Sequence, residues 1–292
     1  LVRQQTQTGT IYTELVRREI IAEVKRAWSY YLYTQELCKL YGDQNRLASE
    51  LSRVSELRYQ QGDITQLERS MSVTVANEMR NKLLQAEEEH KIAAARLQWA
   101  CYADAPLAPT DSILMQFSLP VAMEAEVHRS YFESQVKEAE ARTKVEKSRF
   151  FPELSFGYQR QNILPNKGLN AYVIGASFPI FFNTQRSRIR QAKMDAYMAR
   201  NEAEVNLRTL TNRLTELQAR LRQYDDRLRY YVGSALPEAE VLMSAAKLQL
   251  ANSETSIAEY IMSLNSALEI CRGYIETFNQ YNIAALEYEL YR

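Results

Sequence analysis

Two runs of alternating apolar and small or polar residues, in the middle of the chain, limit the folds that it can adopt. They lie in residues 152–182, which read PELSFGYQRQNILPNKGLNAYVIGASFPIFF. The alternation predicts two strands, and each run has the ~9–11 residues that a tilted strand needs to cross a bilayer. The apolar residues of the runs are Leu154, Phe156, Tyr158, Tyr172, Ile174, Ala176 and Phe178. With the turn formers Pro165, Asn166 and Gly168 between them, they predict a β-hairpin, which needs a partner because a lone hairpin is marginal in water.

Long helical patterns lie on both sides of this hairpin. The chain has only 8 Gly and 7 Pro, and its apolar residues recur at the alternating threes and fours of a coiled-coil seam. Gly233 and Pro237 predict a kink or a join in the second pattern. The predicted segments are a polar lead (1–10), a first helical hairpin (11–104, tip near 60–65), a Pro-rich linker (105–120), a helix (121–151), the β-hairpin (152–182) and a second helical hairpin (183–292, tip near 252–256).

The two helical hairpins are predicted to be one unit that occurs twice. A shift of 191 residues places Glu68 on Glu259, and other sparse matches fall at the tips and seams. At the first tip, we expect Gly62 to end the incoming helix in a left-handed conformation and Asp63 to cap the outgoing one. The second tip, at 252–255, has no glycine.

The charge balance and the cysteines exclude several classes of protein. The 36 basic and 36 acidic residues cancel, which argues against nucleic-acid binding. Cys38, Cys101 and Cys271 lie in helical patterns, and we expect all three to be small buried apolar residues.

No segment reaches the ~18 consecutive apolar residues of a transmembrane helix, so any membrane contact would be made by strands. No nucleophile, phosphate loop or carboxylate pair suggests catalysis, and we expect neither an enzyme nor a cofactor.

We also expect no metal site. His90 and His128 are the only histidines, and neither has a ligand spacing. Met194 and Met198 lie four residues apart and could share a soft ion, but a core or surface role is the simpler interpretation.

Four segments together resemble one known family. They are FFPELSFGYQ (150–159), VIGASFPIFFNTQRSRIRQAK (173–193), LRYQQGDITQLE (57–68) and YIETFNQYNIAALEYEL (274–290). The chain resembles the TolC-like outer-membrane efflux proteins, and within them the heavy-metal branch, which exports cobalt, zinc and cadmium or copper. The resemblance extends over residues 10–291.

The resemblance implies a mainly α fold whose β-hairpin belongs to an outer-membrane barrel. It implies a homotrimer in the Gram-negative outer membrane, in contact with lipid, that extends into the periplasm as a passive duct. A periplasmic adaptor, or membrane fusion protein, and an inner-membrane pump of the resistance-nodulation-division type would be its partners. Family members carry a β-hairpin in each half, and this sequence has one, so we expect a further helix and hairpin before it. A soluble coiled-coil scaffold with a structural hairpin remains the alternative.

The resemblance also suggests candidate site residues. Adaptor contacts, or ordinary turn residues, are Gln61, Gly62, Asp63, Ile64, Thr65, Asn252, Ser253, Glu254 and Thr255. Glu68 and Glu259 would line a periplasmic aperture, where a ring of carboxylates favours cations, with a solvated glutamate on the helix surface as the simpler interpretation of Glu68. Lipid-facing strand residues would be Leu154, Phe156, Tyr158, Tyr172, Ile174 and Phe178. Arg186, Arg188 and Arg190 begin a helix, where the macrodipole disfavours cations. This conflict suggests an external anion, either lipid headgroups or carboxylates of a neighbouring protomer; screening of the arginines by solvent is the alternative.

Overall fold

A computed structural model describes residues 1–105, 107, 116–117, 125–149, 151–163, 166–177 and 182–291. In these residues the chain is mostly helical, with one antiparallel pair of strands. The elements are α1 (Val2–Gln61), α2 (Gln66–Ala100), α3 (Glu126–Ser148), β1 (Glu153–Ile163), β2 (Asn166–Ser177), α4 (Phe182–Tyr230), a π-helical turn (Tyr231–Ala235), α5 (Leu236–Ala251) and α6 (Ile257–Tyr291). This confirms the predicted mainly helical fold with a β-hairpin.

The chain divides into two compact units. The hairpin unit comprises Leu1–Val16 and the described part of Glu124–Asn212, so it contains α3, the strands and the first part of α4. The tip unit comprises the described part of Arg17–Met123 together with Arg213–Tyr291.

Helix α1 begins at Val2, so the prediction of a polar lead at residues 1–10 was wrong. Gln and Arg are good helix formers, and polar composition alone does not oppose a helix. The Thr6 and Thr8 hydroxyls donate to the carbonyls of Val2 and Gln4, four residues earlier, at 3.1 and 3.0 Å.

The core of the tip unit is a cluster to which α1, α2, α5 and α6 all contribute. Its buried members are Ala48, Leu51, Val75, Met79, Ala246, Ile257, Tyr260, Ile261, Leu264 and Leu268. A second cluster joins the later part of α4 to α6 and contains Leu217, Leu221, Leu228, Phe278, Tyr281, Ala284, Ala285 and Tyr288. α6 therefore supplies five of the ten buried residues of the first cluster, and α4 and α6 supply all eight of the second.

The predicted join at Gly233 and Pro237 is a π-helical turn. Proline has no N–H to donate, and here the helix widens by one residue before it, with the Leu236 N–H donating to the Tyr231 carbonyl five residues earlier. The Tyr231 ring is buried against α6 at Gly273, where a Cβ would overlap the Tyr231 hydroxyl. A larger residue at position 273 would therefore force the Tyr231 ring to shift.

The strands extend further into the predicted turn than expected. β1 continues to Ile163 and β2 begins at Asn166, so the turn formers Asn166 and Gly168 lie within β2. Gly168 keeps the positive φ of a turn former, +85°, but within β2, and the register shifts between Gln161 and Ile163. Turn-forming residues thus mark an irregularity in the ladder here. Throughout the described chain, no helix combines the length and the apolar character that crossing a membrane requires.

Candidate functional site

The β-hairpin presents one apolar face and one face of small or polar residues. In the register, Leu154 pairs with Ala176, Phe156 with Ile174 and Tyr158 with Tyr172, which places the predicted apolar residues on one face. Their exposed fractions are 67% for Leu154, 77% for Phe156, 58% for Tyr158, 78% for Tyr172 and 75% for Ile174. Phe178 lies outside the described residues. A contiguous exposed apolar face of this kind indicates a binding partner or a lipid contact.

The opposite face of the hairpin carries mostly small or polar side chains. Gly175 faces Ser155 across the ladder, and a Cβ on the glycine would lie 2.6 Å from the serine hydroxyl oxygen. Gly157 faces Val173 in the next pair of this face. The two faces therefore differ in bulk as well as in polarity.

At the first tip, α1 ends in a Schellman motif. The Gly62 N–H donates to the Tyr59 carbonyl at 3.0 Å, and the Asp63 N–H to the Arg58 carbonyl at 2.9 Å. Gly62 has φ +82°, as the sequence predicted. The prediction that Asp63 caps α2 was wrong, because the N-cap is Thr65, whose hydroxyl accepts the N–H three residues on.

The second tip makes the same turn without glycine. The Ser253 N–H donates to the Leu250 carbonyl at 3.3 Å, and the Glu254 N–H to the Gln249 carbonyl at 2.8 Å. Ser253 has φ +60°, a left-handed conformation that costs a residue with a Cβ roughly 1–2 kcal/mol. The helix end at Ser253 is therefore more strained than the one at Gly62.

Both outgoing helices begin with a capping box. Glu68 accepts the Thr65 N–H at 2.9 Å, and Glu259 accepts the Ser256 N–H at 2.9 Å. Glu259 also accepts from the Thr255 hydroxyl at 2.8 Å. The Ser256 N–H bond and the hydroxyl bonds of Thr255 and Ser256 hold the pKa of Glu259 below its ordinary value. The two aperture candidates therefore also fix the helix starts.

Most of the candidate contact residues at the tips are exposed. The exposed members are Gln61, Gly62, Asp63, Thr65, Asn252, Ser253 and Glu254. Ile64 and Thr255 are half-buried, and Ile64 packs against the core cluster of the tip unit. Arg58 donates to the Leu250 carbonyl at 3.1 Å, which joins the two tips directly.

The basic cluster at the start of α4 is exposed. Arg186, Arg188 and Arg190 form no ion pair with any described residue. A groove of about 360 Å³ between α3 and α4 carries further cations, Lys144 and Lys193 among them, that the sequence did not suggest. Only the side-by-side packing of the two helices brings them together.

Among the histidine and methionine side chains that were considered as metal ligands, one is hydrogen-bonded within the tip unit and two are exposed. The ring Nδ1 of His90 lies 2.9 Å from the Thr34 hydroxyl, and burial lowers the pKa of His90. Met194 and Met198 are exposed on α4, with exposed fractions of 59% and 56%. Within the described ranges, no three His, Cys, Asp or Glu side chains group as metal ligands would.

Of the three cysteines, the one at the end of α2 does not fit the prediction of small buried residues. Cys101 is exposed, because the C-cap lies past the last packed turn of the helix. Cys38 and Cys271 are partly buried, and burial raises the pKa of both thiols.

The structure is similar to solved outer-membrane channels. A chain of CusC, from a study of folding and transmembrane channel formation, matches with a TM-score of 0.83 at 14% identity, over 99% of this chain and 72% of that chain. The CmeC outer membrane channel of Campylobacter jejuni matches with 0.83 at 12% identity, over 99% and 66%. The MtrE outer membrane channel of Neisseria gonorrhoeae, in its open state, matches with 0.77 at 16% identity, over 99% and 69%.

These likenesses establish the fold. The chain spans about two thirds of each of the three channels. No protein-family model and no curated protein sequence matched it.

Proposed function

We propose that this chain is a subunit of an outer-membrane channel that serves as a passive duct of an efflux system. The observation that carries the proposal is the fold, which matches outer-membrane channels over 99% of the chain. A duct does not require catalytic residues, because its pathway is formed by its walls.

The apolar face of the hairpin supports the proposal independently. Phe156 and Ile174 face each other across the ladder and are both about three-quarters exposed. Lipid would cover this face, while the small residues of the other face, such as Gly175, would line the interior of a barrel. A water-soluble scaffold leaves the apolar face without a partner.

The more specific parts of the proposed function rest on the resemblance of the sequence to the TolC-like outer-membrane efflux proteins. We propose a homotrimer in which each chain adds its hairpin to one barrel and its helical hairpins, as an internal repeat, to a periplasmic tunnel. We propose a periplasmic adaptor at the tips and a resistance-nodulation-division pump in the inner membrane. Heavy-metal cations are the proposed cargo, and Glu68 and Glu259 the proposed carboxylates of the aperture.

The experiment tests the two faces of the hairpin separately. Phe156→Asp with Ile174→Asp places two charges on the apolar face, and Ser155→Asp with Gln159→Asp places two on the other. Both variants are made in the protein as its gene encodes it, in a Gram-negative host. Recovery in the outer-membrane fraction and the mass of the detergent-solubilised particle are measured.

We expect the apolar-face variant to disappear from the outer-membrane trimer, because charged side chains that face lipid destabilise membrane strands. The control variant should still assemble. If the wild type is monodisperse in buffer without detergent and never trimerises, the duct proposal fails and a soluble scaffold becomes the better account.

A further inference from the structure

We propose that the groove between α3 and α4 binds the phosphate groups of anionic phospholipids at the surface of the bilayer that holds the hairpin. The groove has a volume of about 360 Å³, and its basic side chains are Lys144, Lys147, Lys193 and Arg200. The proposal rests on the proposed function for the position of the bilayer, and it names the ligand and the residues of a site that the duct role does not require.

The groove is held in shape by contacts between the two helices. The Thr143 hydroxyl donates to the Ala192 carbonyl at 2.9 Å, and the Gln185 side chain donates to the Glu146 carbonyl at 2.7 Å. Thr143 and Gln185 are both buried. These bonds fix α3 antiparallel to α4, so the lysines of both helices border one groove.

The cations of the groove continue along one face of α4. Arg186, Arg190, Lys193 and Tyr197 succeed one another at steps of four, three and four residues, which places them on one side of the helix. All four are exposed. In the described part of the chain, neither Lys144 and Lys147 nor any cation of this row pairs with a carboxylate.

The nearby carboxylates are already engaged or lie elsewhere. Glu140 pairs with Arg200 at 3.0 Å, and Glu146 pairs with Arg149 at 2.7 Å. Asp195 borders other grooves of the same two helices. The groove therefore has uncompensated positive charge, which an external anion would neutralise.

The chain places this charge close to the ends of the strands. α3 ends at Ser148 and β1 begins at Glu153, a separation that the chain spans in less than ~20 Å. On the other side, β2 ends at Ser177 and α4 begins at Phe182. If the apolar face of the hairpin lies in hydrocarbon, the end of the groove at Lys147, one residue before the end of α3, lies next to the headgroups on the helical side of the bilayer.

The chemistry of the groove fits that level of a membrane. Basic residues and tyrosine are typical anchors at the membrane surface, and Tyr197 is 67% exposed between the cations. Anionic headgroups attract several basic residues at once, whereas a carboxylate of a neighbouring protein would neutralise one or two. An anion near Arg186 would also offset the unfavourable position of a cation in the first turns of a helix.

The test compares two triple variants with the same change in charge. The groove variant is Lys144→Gln, Lys147→Gln and Lys193→Gln. The control variant is Arg80→Gln, Arg222→Gln and Lys247→Gln, which removes three exposed cations of the tip unit that form no ion pair with described residues. Binding of the whole chain is measured at low salt on vesicles of phosphatidylcholine with and without phosphatidylglycerol, and circular dichroism checks the helix content.

We expect the groove variant to lose about a hundredfold in affinity for the phosphatidylglycerol vesicles, since each basic residue near an anionic surface contributes about fivefold. The control variant should keep the affinity of the wild type, and inorganic phosphate should release the wild type no more than sodium chloride of the same ionic strength does. Equal losses in the two variants, no loss in the groove variant, or release by inorganic phosphate well beyond that by sodium chloride would each overturn the proposal.

The neutral vesicles separate this proposal from the proposed function. Binding to phosphatidylcholine alone reports the apolar face of the hairpin and should be equal in all three proteins. If the wild type does not bind neutral vesicles while the groove variant still loses its affinity for phosphatidylglycerol, the membrane role of the hairpin fails and the anionic-lipid groove stands.

Discussion

The two helical hairpins of the tip unit make the same turn with different residues. The first uses a helix that passes Gly42 without interruption and ends at Gly62, whose φ is +82°. The second reaches its tip through a π-helical turn and ends at Ser253, a residue with a Cβ at φ +60°. Similar turns therefore do not imply similar sources of stability.

The two tips are stabilised by different interactions. The first tip is specified by local preferences, because glycine takes the left-handed conformation without strain. The second tip is held against its local preference by packing and by the bond from Arg58 to the Leu250 carbonyl. Substitutions that alter local strain or tertiary contacts should therefore affect the two hairpins differently.

The largest difference should appear at the helical glycines. Gly273→Ala would place a Cβ against the Tyr231 hydroxyl and should lower the free energy of unfolding by about 1–3 kcal/mol. Gly42→Ala meets no atom within 4 Å and should raise it by up to about 1 kcal/mol, because alanine favours the helix. Urea unfolding followed by circular dichroism measures both.

A double variant identifies the cause. Tyr231→Phe removes the hydroxyl that the new Cβ would meet, so Gly273→Ala should cost less in that background than in the wild type. Equal costs in the two backgrounds would show that the Tyr231 contact does not explain the effect.

At the two turns, exchanging glycine and a residue with a Cβ should change the free energy of unfolding in opposite directions, and by less than the changes at the helical glycines. Gly62→Ala introduces a Cβ at positive φ and should cost about 1–2 kcal/mol. Ser253→Gly relieves the same strain and should stabilise the second tip by about 0.5–1 kcal/mol after the entropy of glycine is subtracted. Hydrogen exchange of the two turns locates the changes, and destabilisation by Ser253→Gly would contradict the strain at this position.

The smallest effect should be a dependence of the second tip on pH. The hydrogen bonds to Glu259 lower its pKa in the folded chain, so its contribution to stability is complete above its ordinary value of 4.5 and declines as the pH falls through the lowered pKa. We expect protection of the Ser256 amide against exchange to decrease in acid. Glu259→Gln keeps an oxygen for the same N–H and should show no such decrease; a decrease as large as in the wild type would assign the titration to another group.

The periodicity of the sequence predicted the faces of the strands and the seams of the helices. A period of two placed Phe156 and Ile174 on one face, and the three-four spacing of leucines predicted the seam of α4. The cap of α2 could have been found as well, because Thr65 and Glu68 have the spacing of a capping box, but the choice of Asp63 overlooked it.

The features that the sequence did not predict depend on which residues pack against each other in the folded chain. Gly168 is a turn former in any sequence, yet here the ladder of β1 and β2 continues past it. Lys144 and Lys193 are ordinary surface lysines until the packing of α3 against α4 brings them to one groove. Contacts between distant residues of this kind cannot be derived from local patterns.

The bond between the tips has a consequence for how the molecule transmits force. The Leu250 carbonyl accepts both the Ser253 N–H, which closes the second turn, and the guanidinium of Arg58, which belongs to the last turn of α1. A displacement of one tip relative to the other would therefore stretch the hydrogen bond from Arg58 as well. A partner that binds one tip and displaces it would also act on the other tip through the Arg58 side chain.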